Sequence, residues 1–399
     1  MSTDRNVPIG YLRMFLTLLV VLHHTVLAYH TYAPPAAASL VAEPRMWQAF
    51  PVADAHRTPG LELLIGFNDT FFMSLMFLIS GLFAWPSLVR KGAGAFARDR
   101  MLRLGLPFVA CAGALAPLAY YPAYLQSHTH DGFWNEWLRL GNWPAGPAWF
   151  LWVLLAFGCV AALLTGLAPR WGDALGRITG RLSSAPIKYF FALLAASALV
   201  YLPMGAAFDP TRWMSFGPFF VQISRLLQYA LYFFAGAGLG AYGADRGILA
   251  RDGKLALRWP LWIGASLISY VFAIVMFLTI MATIPKGGPS PLLMAAGNFT
   301  FVLTCASASF AMIAVFLRFA RNAHRAADSL SDNAYGIYLY HYVAVSWLEL
   351  AIVNARLPGI AKAGIVFAAA TLASWGVSAA MRAVSAREVR RREPLTSPA

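Results

Sequence analysis

The chain has 399 residues, of which 59% are hydrophobic and only 12% charged, at a mean hydropathy of +0.60. A soluble globule of this size needs far more polar surface, and plentiful aliphatic residues with only 3 cysteines exclude disordered, collagen-like and disulfide-scaffold chains. The net charge of +14 sits in short basic clusters between apolar runs, which suits the loops of an all-α, polytopic membrane protein and argues against a nucleic-acid partner.

Ten runs are long enough for a helix to cross a hydrocarbon core about 30 Å thick. They cover residues 9–30, 62–84, 104–126, 148–168, 187–208, 216–243, 259–281, 291–317, 334–353 and 359–381. Together they predict one transmembrane bundle over residues 1–385, followed by a short basic cytoplasmic tail at 386–399. The first run is too long, and too interrupted by Arg13, His23 and His24, to read as a cleaved signal peptide. Residues 86–103 are basic and broken by glycines, and are expected to lie as an interfacial helix. With the N-terminus inside, the cytoplasmic segments hold 22 Lys and Arg and the opposite loops hold 7. That bias predicts ten spans, both termini in the cytoplasm, and residues 31–61 and 127–147 outside.

Polar side chains inside the spans are costly and mark candidate function. Arg13 and His24 in the first span are eleven residues apart, so they share a helix face roughly 16 Å apart along the axis. A histidine here can serve as a general base or simply bond a neighbouring helix. Asn68 and Asp69 lie in the second span, where Asp69 either charge-pairs a buried group or meets the interface. Arg98, Arg100 and Arg103 gather at the cytoplasmic mouth. Arg100 and Arg103 are i,i+3 neighbours, suited to phosphate oxygens or to anionic lipid. In the sixth span Gln222, Arg225, Tyr229 and Tyr232 form a polar stripe, lining a cavity or holding an Arg–Asp pair. In the ninth, Tyr338, His341 and Tyr342 share a face, with Glu349 further out. There is no internal repeat and no nucleotide or zinc motif.

Five motifs in order give the chain a resemblance to a known family. LRMFLTLLVVLHH supplies Arg13 and His24, MFLISGLF supplies Ser80 and Gly81, and RMLRLGLP supplies Arg100 and Arg103. GPAWFLWVLL supplies Trp149, and SDNAYGIYLYH supplies Tyr335, Tyr338 and His341. The sequence resembles the membrane acyltransferase 3 family, the ten-span bacterial O-acyltransferases of the inner membrane, and within it the branch that modifies polysaccharides and glucans. Many members carry an Asp six residues before the Ser of the Ser-Gly pair; here Ser74 stands there. Many also carry a fused extracytoplasmic esterase-like domain, not seen here, so acceptor binding is expected to fall to the bundle, its outer loops or a partner.

The resemblance implies transfer of an acyl group, acetyl or succinyl-like, from cytoplasmic acyl-CoA to a hydroxyl of an extracytoplasmic glycan or lipid-linked saccharide. No tightly bound cofactor is expected beyond the acyl-CoA donor substrate, and no metal. His24 is the expected base, with Arg13 guiding the donor or stabilising charge. Arg98, Arg100 and Arg103 are expected to bind the donor. His341 and Tyr338 are expected to bind the acceptor, with Trp149, Asp69, Arg225 and Ser80 in support. The alternative is a transporter or flippase that uses the same His, Arg and Asp for protons or anions.

Overall fold

The computed structural model describes residues 6–127, 129–210 and 212–392. Of the expected basic tail, residues 393–399 lie outside the described residues. The elements are α1 (Val7–Leu27), α2 (Leu61–Leu82), α3 (Ala84–Lys91), α4 (Ala93–Gln126), α5 (Phe133–Arg139), α6 (Trp149–Leu167), α7 (Trp171–Leu182) and α8 (Pro186–Ala207). A hairpin of β1 (Trp213–Phe216) and β2 (Phe219–Gln222) follows, then α9 (Leu226–Tyr242), α10 (Trp259–Thr283), α11 (Pro291–Phe319), α12 (Arg325–Ile352) and α13 (Gly359–Arg392). This is an all-α polytopic membrane protein. Among the described residues, eight helical stretches are long and apolar enough to cross a membrane: α1, α2 with α3, α4, α6, α8, α10, α11 and α13.

The two remaining expected spans take a different form. Residues 216–243 were expected to be helical throughout, but α9 begins only at Leu226 and has 17 residues. Before it, Trp213 to Gln222 form the antiparallel hairpin, turning at Gly217 and Pro218. Aromatic and β-branched residues favour strands, and outside partners hold the turn. Gly217 N–H donates to Asn142 Oδ1, Trp143 N–H to the Gly217 carbonyl, and Trp152 Nε1 to the Phe220 carbonyl. The predicted polar stripe therefore loses Gln222, which lies in β2 and donates to the Pro210 carbonyl. The ninth span, α12, has 28 residues, but its Tyr, His, Asn and Ser content dilutes its apolarity. The expected interfacial helix at 86–103 is also revised: the chain breaks at Gly92, and α4 runs on unbroken through π-helical turns at Met101–Gly105 and Cys111–Leu115.

The chain divides into two compact units whose segments interleave in sequence. Unit 1 comprises Met1–Leu16, Leu63–Gly113 and Gly141–Ala323. Its α2 and α9 touch backbone to backbone. A Cβ on Gly81 would collide with the Phe233 carbonyl, and one on Gly236 or Gly240 with the Leu78 or Leu82 carbonyl. Small residues allow such approach where lipid offers no hydrophobic drive between helices. On α10, Leu267, Ile268, Val271, Phe272, Val275 and Leu278 are exposed, a face fit for hydrocarbon. Unit 2 comprises Thr17–Glu62, Ala114–Leu140 and His324–Ala399. There α12 and α13 are joined by polar bonds from Ser378 Oγ to Asn333 Oδ1 (2.8 Å) and from Trp375 Nε1 to Ser329 Oγ (3.1 Å).

Candidate active site

In unit 2 the buried residues of α12 recur at three- and four-residue spacing: Ala334, Ile337, Tyr338, His341, Tyr342, Val345, Ser346 and Glu349. This periodicity brings His341 to His24 of α1, with ring centroids 5.4 Å apart. His341 is wholly buried. Its Nδ1 lies 2.7 Å from the Tyr338 carbonyl. A carbonyl only accepts, so Nδ1 carries the proton and Nε2 keeps a lone pair. Neither His341 Nε2 nor His24 Nδ1 has a hydrogen-bond partner among the described residues.

Tyr342 completes the cluster. Its ring meets His24 edge-on at 4.9 Å, and its hydroxyl donates to the Gln48 carbonyl at 3.4 Å. Tyr120 of α4 donates to the same carbonyl at 2.9 Å. Leu40 N–H donates to buried Glu136 of α5, and Trp47 Nε1 to the Leu40 carbonyl. The segment between α1 and α2 is therefore fastened over the aromatic cluster and is not a loose loop.

A second buried group escaped sequence reasoning. Lys362 and Asp54 form an ion pair at 2.6 Å with both side chains 0% exposed. Lys362 Nζ also donates to the Val353 carbonyl at 2.7 Å and lies 3.2 Å from His56 Nδ1. Burial alone would push the Asp54 carboxyl up, but hydrogen bonds from Lys362 and from the backbone and ring of His56 hold it below the usual carboxylate range. Lys362 lies four residues into the apolar run 359–381, and that position is the signal the sequence offers.

In unit 1 Arg225 and Asp69 pair with each other. Arg225 Nη2 donates to Asp69 Oδ2 at 2.6 Å and Nη1 to the Asp69 carbonyl at 3.0 Å. The guanidinium lies over Phe301 at 4.8 Å. Beside it Phe77 stacks on Tyr229, which also meets Trp149 at 5.6 Å. Ser80 donates back to the Met76 carbonyl of its own helix at 2.8 Å.

The arginine cluster is not uniform. Arg98 is exposed. Arg100 is half-buried over the Phe96 ring at 4.9 Å and beside Gly158 of α6. Arg103 is 74% exposed, with Nε donating to Asp99 at 2.9 Å. Arg100 and Arg103 thus lie in different surroundings. The π-helical turn begins at Met101, between the two arginines, and Asp99 engages Arg103. Arg13 is exposed on α1, three turns before His24.

A family model described as an acyltransferase domain matches residues 7–379 of the chain. Comparison with curated proteins and with solved structures gives no match.

Proposed function

We propose, from the premise that the chain belongs to the membrane acyltransferase 3 family, that it carries an acyl group from cytoplasmic acyl-CoA to a hydroxyl of an extracytoplasmic glycan or related acceptor, with His24 as general base. Membrane acyl transfer follows from the family; the donor, the acceptor and the base are our reading. The observation that carries it is the buried pairing of His24 with His341. His341, its Nδ1 proton committed to Tyr338, presents an acceptor nitrogen. That nitrogen suits receipt of a proton from His24 Nδ1, which leaves His24 Nε2 as the base.

The acceptor oxygen attacks the thioester carbonyl carbon, and the carbon–sulfur bond breaks. His24 takes the hydroxyl proton and returns it to the departing CoA thiolate, so no net proton is gained or lost. Arg13 would meet the pantetheine phosphate or the developing charge, and Arg100 the CoA phosphates, with Arg98 and Arg103 adding positive potential. In this reading both termini lie in the cytoplasm of a bacterium and the protein resides in its inner membrane. The test is transfer from acetyl-CoA by purified His24→Ala in proteoliposomes. A general base contributes about 10²–10⁴-fold, so a smaller loss than about tenfold removes His24 from that role.

A further inference from the structure

Two buried groups in unit 2 play no part in this scheme. Glu349 is 2% exposed, and its Oε1 has no hydrogen-bond partner among the described residues. Tyr29 is 0% exposed, and its hydroxyl likewise has none. Both border the Lys362 cluster. Glu349 stands one helical turn before Val353, whose carbonyl accepts from Lys362 Nζ. A Cβ on Gly359 would meet both the His56 carbonyl and Tyr29 Cβ, and Thr58 N–H donates to the Tyr29 carbonyl. Along α12, Glu349 stands eight residues beyond His341 with buried Val345 and Ser346 between them. One continuous face thus leads from the histidines to the carboxyl, about 12 Å along the axis.

Buried polar atoms in folded proteins almost always have partners, and a lone buried carboxyl is costly. Asp54 shows how this chain meets that cost, by pairing with Lys362. Lys362 does not serve Glu349: its Nζ donates to Asp54 and to the Val353 carbonyl, and Glu349 Oε1 accepts from no described residue. What stands on the Asp54 side of the histidine pair is an oxygen that accepts, and a hydroxyl that both donates and accepts. A neutral polyhydroxyl ligand matches both. An ammonium ligand can only donate, and would approach the Lys362 charge.

We infer that Tyr29 and Glu349 form a subsite for a sugar ring of the acceptor, which holds it so that one hydroxyl reaches His24. The inference rests on the acyl-transfer reading for its place in catalysis, but not for binding. The first test is therefore binding alone. Methyl β-glucopyranoside is titrated into the full-length protein in nanodiscs, and the thermal unfolding midpoint is followed. The sugar should stabilise the wild-type protein, and Glu349→Gln and Tyr29→Phe should each weaken its affinity about tenfold or more. The Gln variant is nearly isosteric, and its midpoint without sugar reports any loss of fold. No stabilisation of the wild type, or equal affinity in all three proteins, overturns the subsite. Tighter binding of glucosamine than of the glucoside overturns its neutral character. The second test is turnover of acetyl-CoA in proteoliposomes. Glu349→Gln should raise the KM for the glucoside and leave the KM for acetyl-CoA unchanged. Sugar binding through Glu349 without any acetyl-CoA turnover would sink the acyl-transfer reading and leave the subsite standing.

Discussion

His24 and His341 stand with ring centroids 5.4 Å apart, and the carbonyl of Tyr338 decides which nitrogen of His341 keeps its proton. Three variants follow from that relationship. His24→Ala should lower acyl transfer by about 10²–10⁴-fold. His341→Ala should fall between that and wild type, because it removes only the group that orients His24. His23 points about 100° away around α1, so His23→Gln should stay close to wild type. Initial rates at saturating acetyl-CoA give the order, and an essential His23 would reverse the assignment.

Arg100 and Arg103 should respond differently to lysine. Arg100 is stacked on Phe96, and its planar fork is what lysine lacks. Arg100→Lys should raise the KM for acyl-CoA about tenfold or more, the value of one charge-assisted bond to phosphate. Arg103, exposed and engaged by Asp99, should change that KM little in the Arg103→Lys variant. The acceptor KM should be unaffected in both, as measured in proteoliposomes.

The buried Lys362–Asp54 pair should be intolerant of single changes. Lys362→Met leaves an uncompensated carboxylate in the interior and should cost about 3–5 kcal/mol. Lys362→Met with Asp54→Asn should recover most of that loss. Asp54 is held below its ordinary carboxylate range, so its contribution is present above the unfolded pKa and is lost as pH falls through the folded value. Unfolding midpoints followed from neutral pH down through the carboxylate range should show wild type losing more stability than the double variant.

Arg225 pairs with Asp69 through Nη1 and Nη2, while its buried Nε has no hydrogen-bond partner among the described residues; we expect the pair to act structurally. Asp69→Asn removes the charge from a pair that is half open to solvent on the Asp side, and should cost about 1.5–3 kcal/mol of stability. Any loss of transfer rate should track the loss of folded protein. A rate loss at full stability would return the pair to acceptor binding.

Much of this arrangement was legible in the sequence, because each legible part is written in local spacing. Apolar run length gave the helices, and the Tyr338–His341–Tyr342 stripe gave the face of α12 that meets α1. The hairpin at Trp213–Gln222 was hidden because an aromatic strand and an apolar helix look alike over so few residues. The Lys362–Asp54 pair joins residues 308 apart, and a lone lysine near a span end looks like an interfacial anchor until its partner is known. The two interleaved units could not be read along the chain, because three of their five boundaries fall inside helices, in α1, at the start of α2 and in α4.

Topology is checked most directly by reporter fusions at Ser127 and Ala168. They flank the fourth expected span, so they should report opposite sides of the membrane. The same side for both would remove that crossing and reverse every later loop.

The contact between α2 and α9 bears on that count in a separate way. Asp69 meets Arg225, Phe77 stacks on Tyr229, and Gly81 lies against Phe233, so the two helices advance together and are parallel. If both cross the bilayer, two parallel helices enter from the same side. Chain that leaves α2 on the far side must therefore return an odd number of times before α9 begins. The helices Ala93–Gln126, Gly146–Leu167 and Pro186–Ala207 supply three such passages. Parity thus supports the order of spans from steric contact alone, without reference to where the arginines fall.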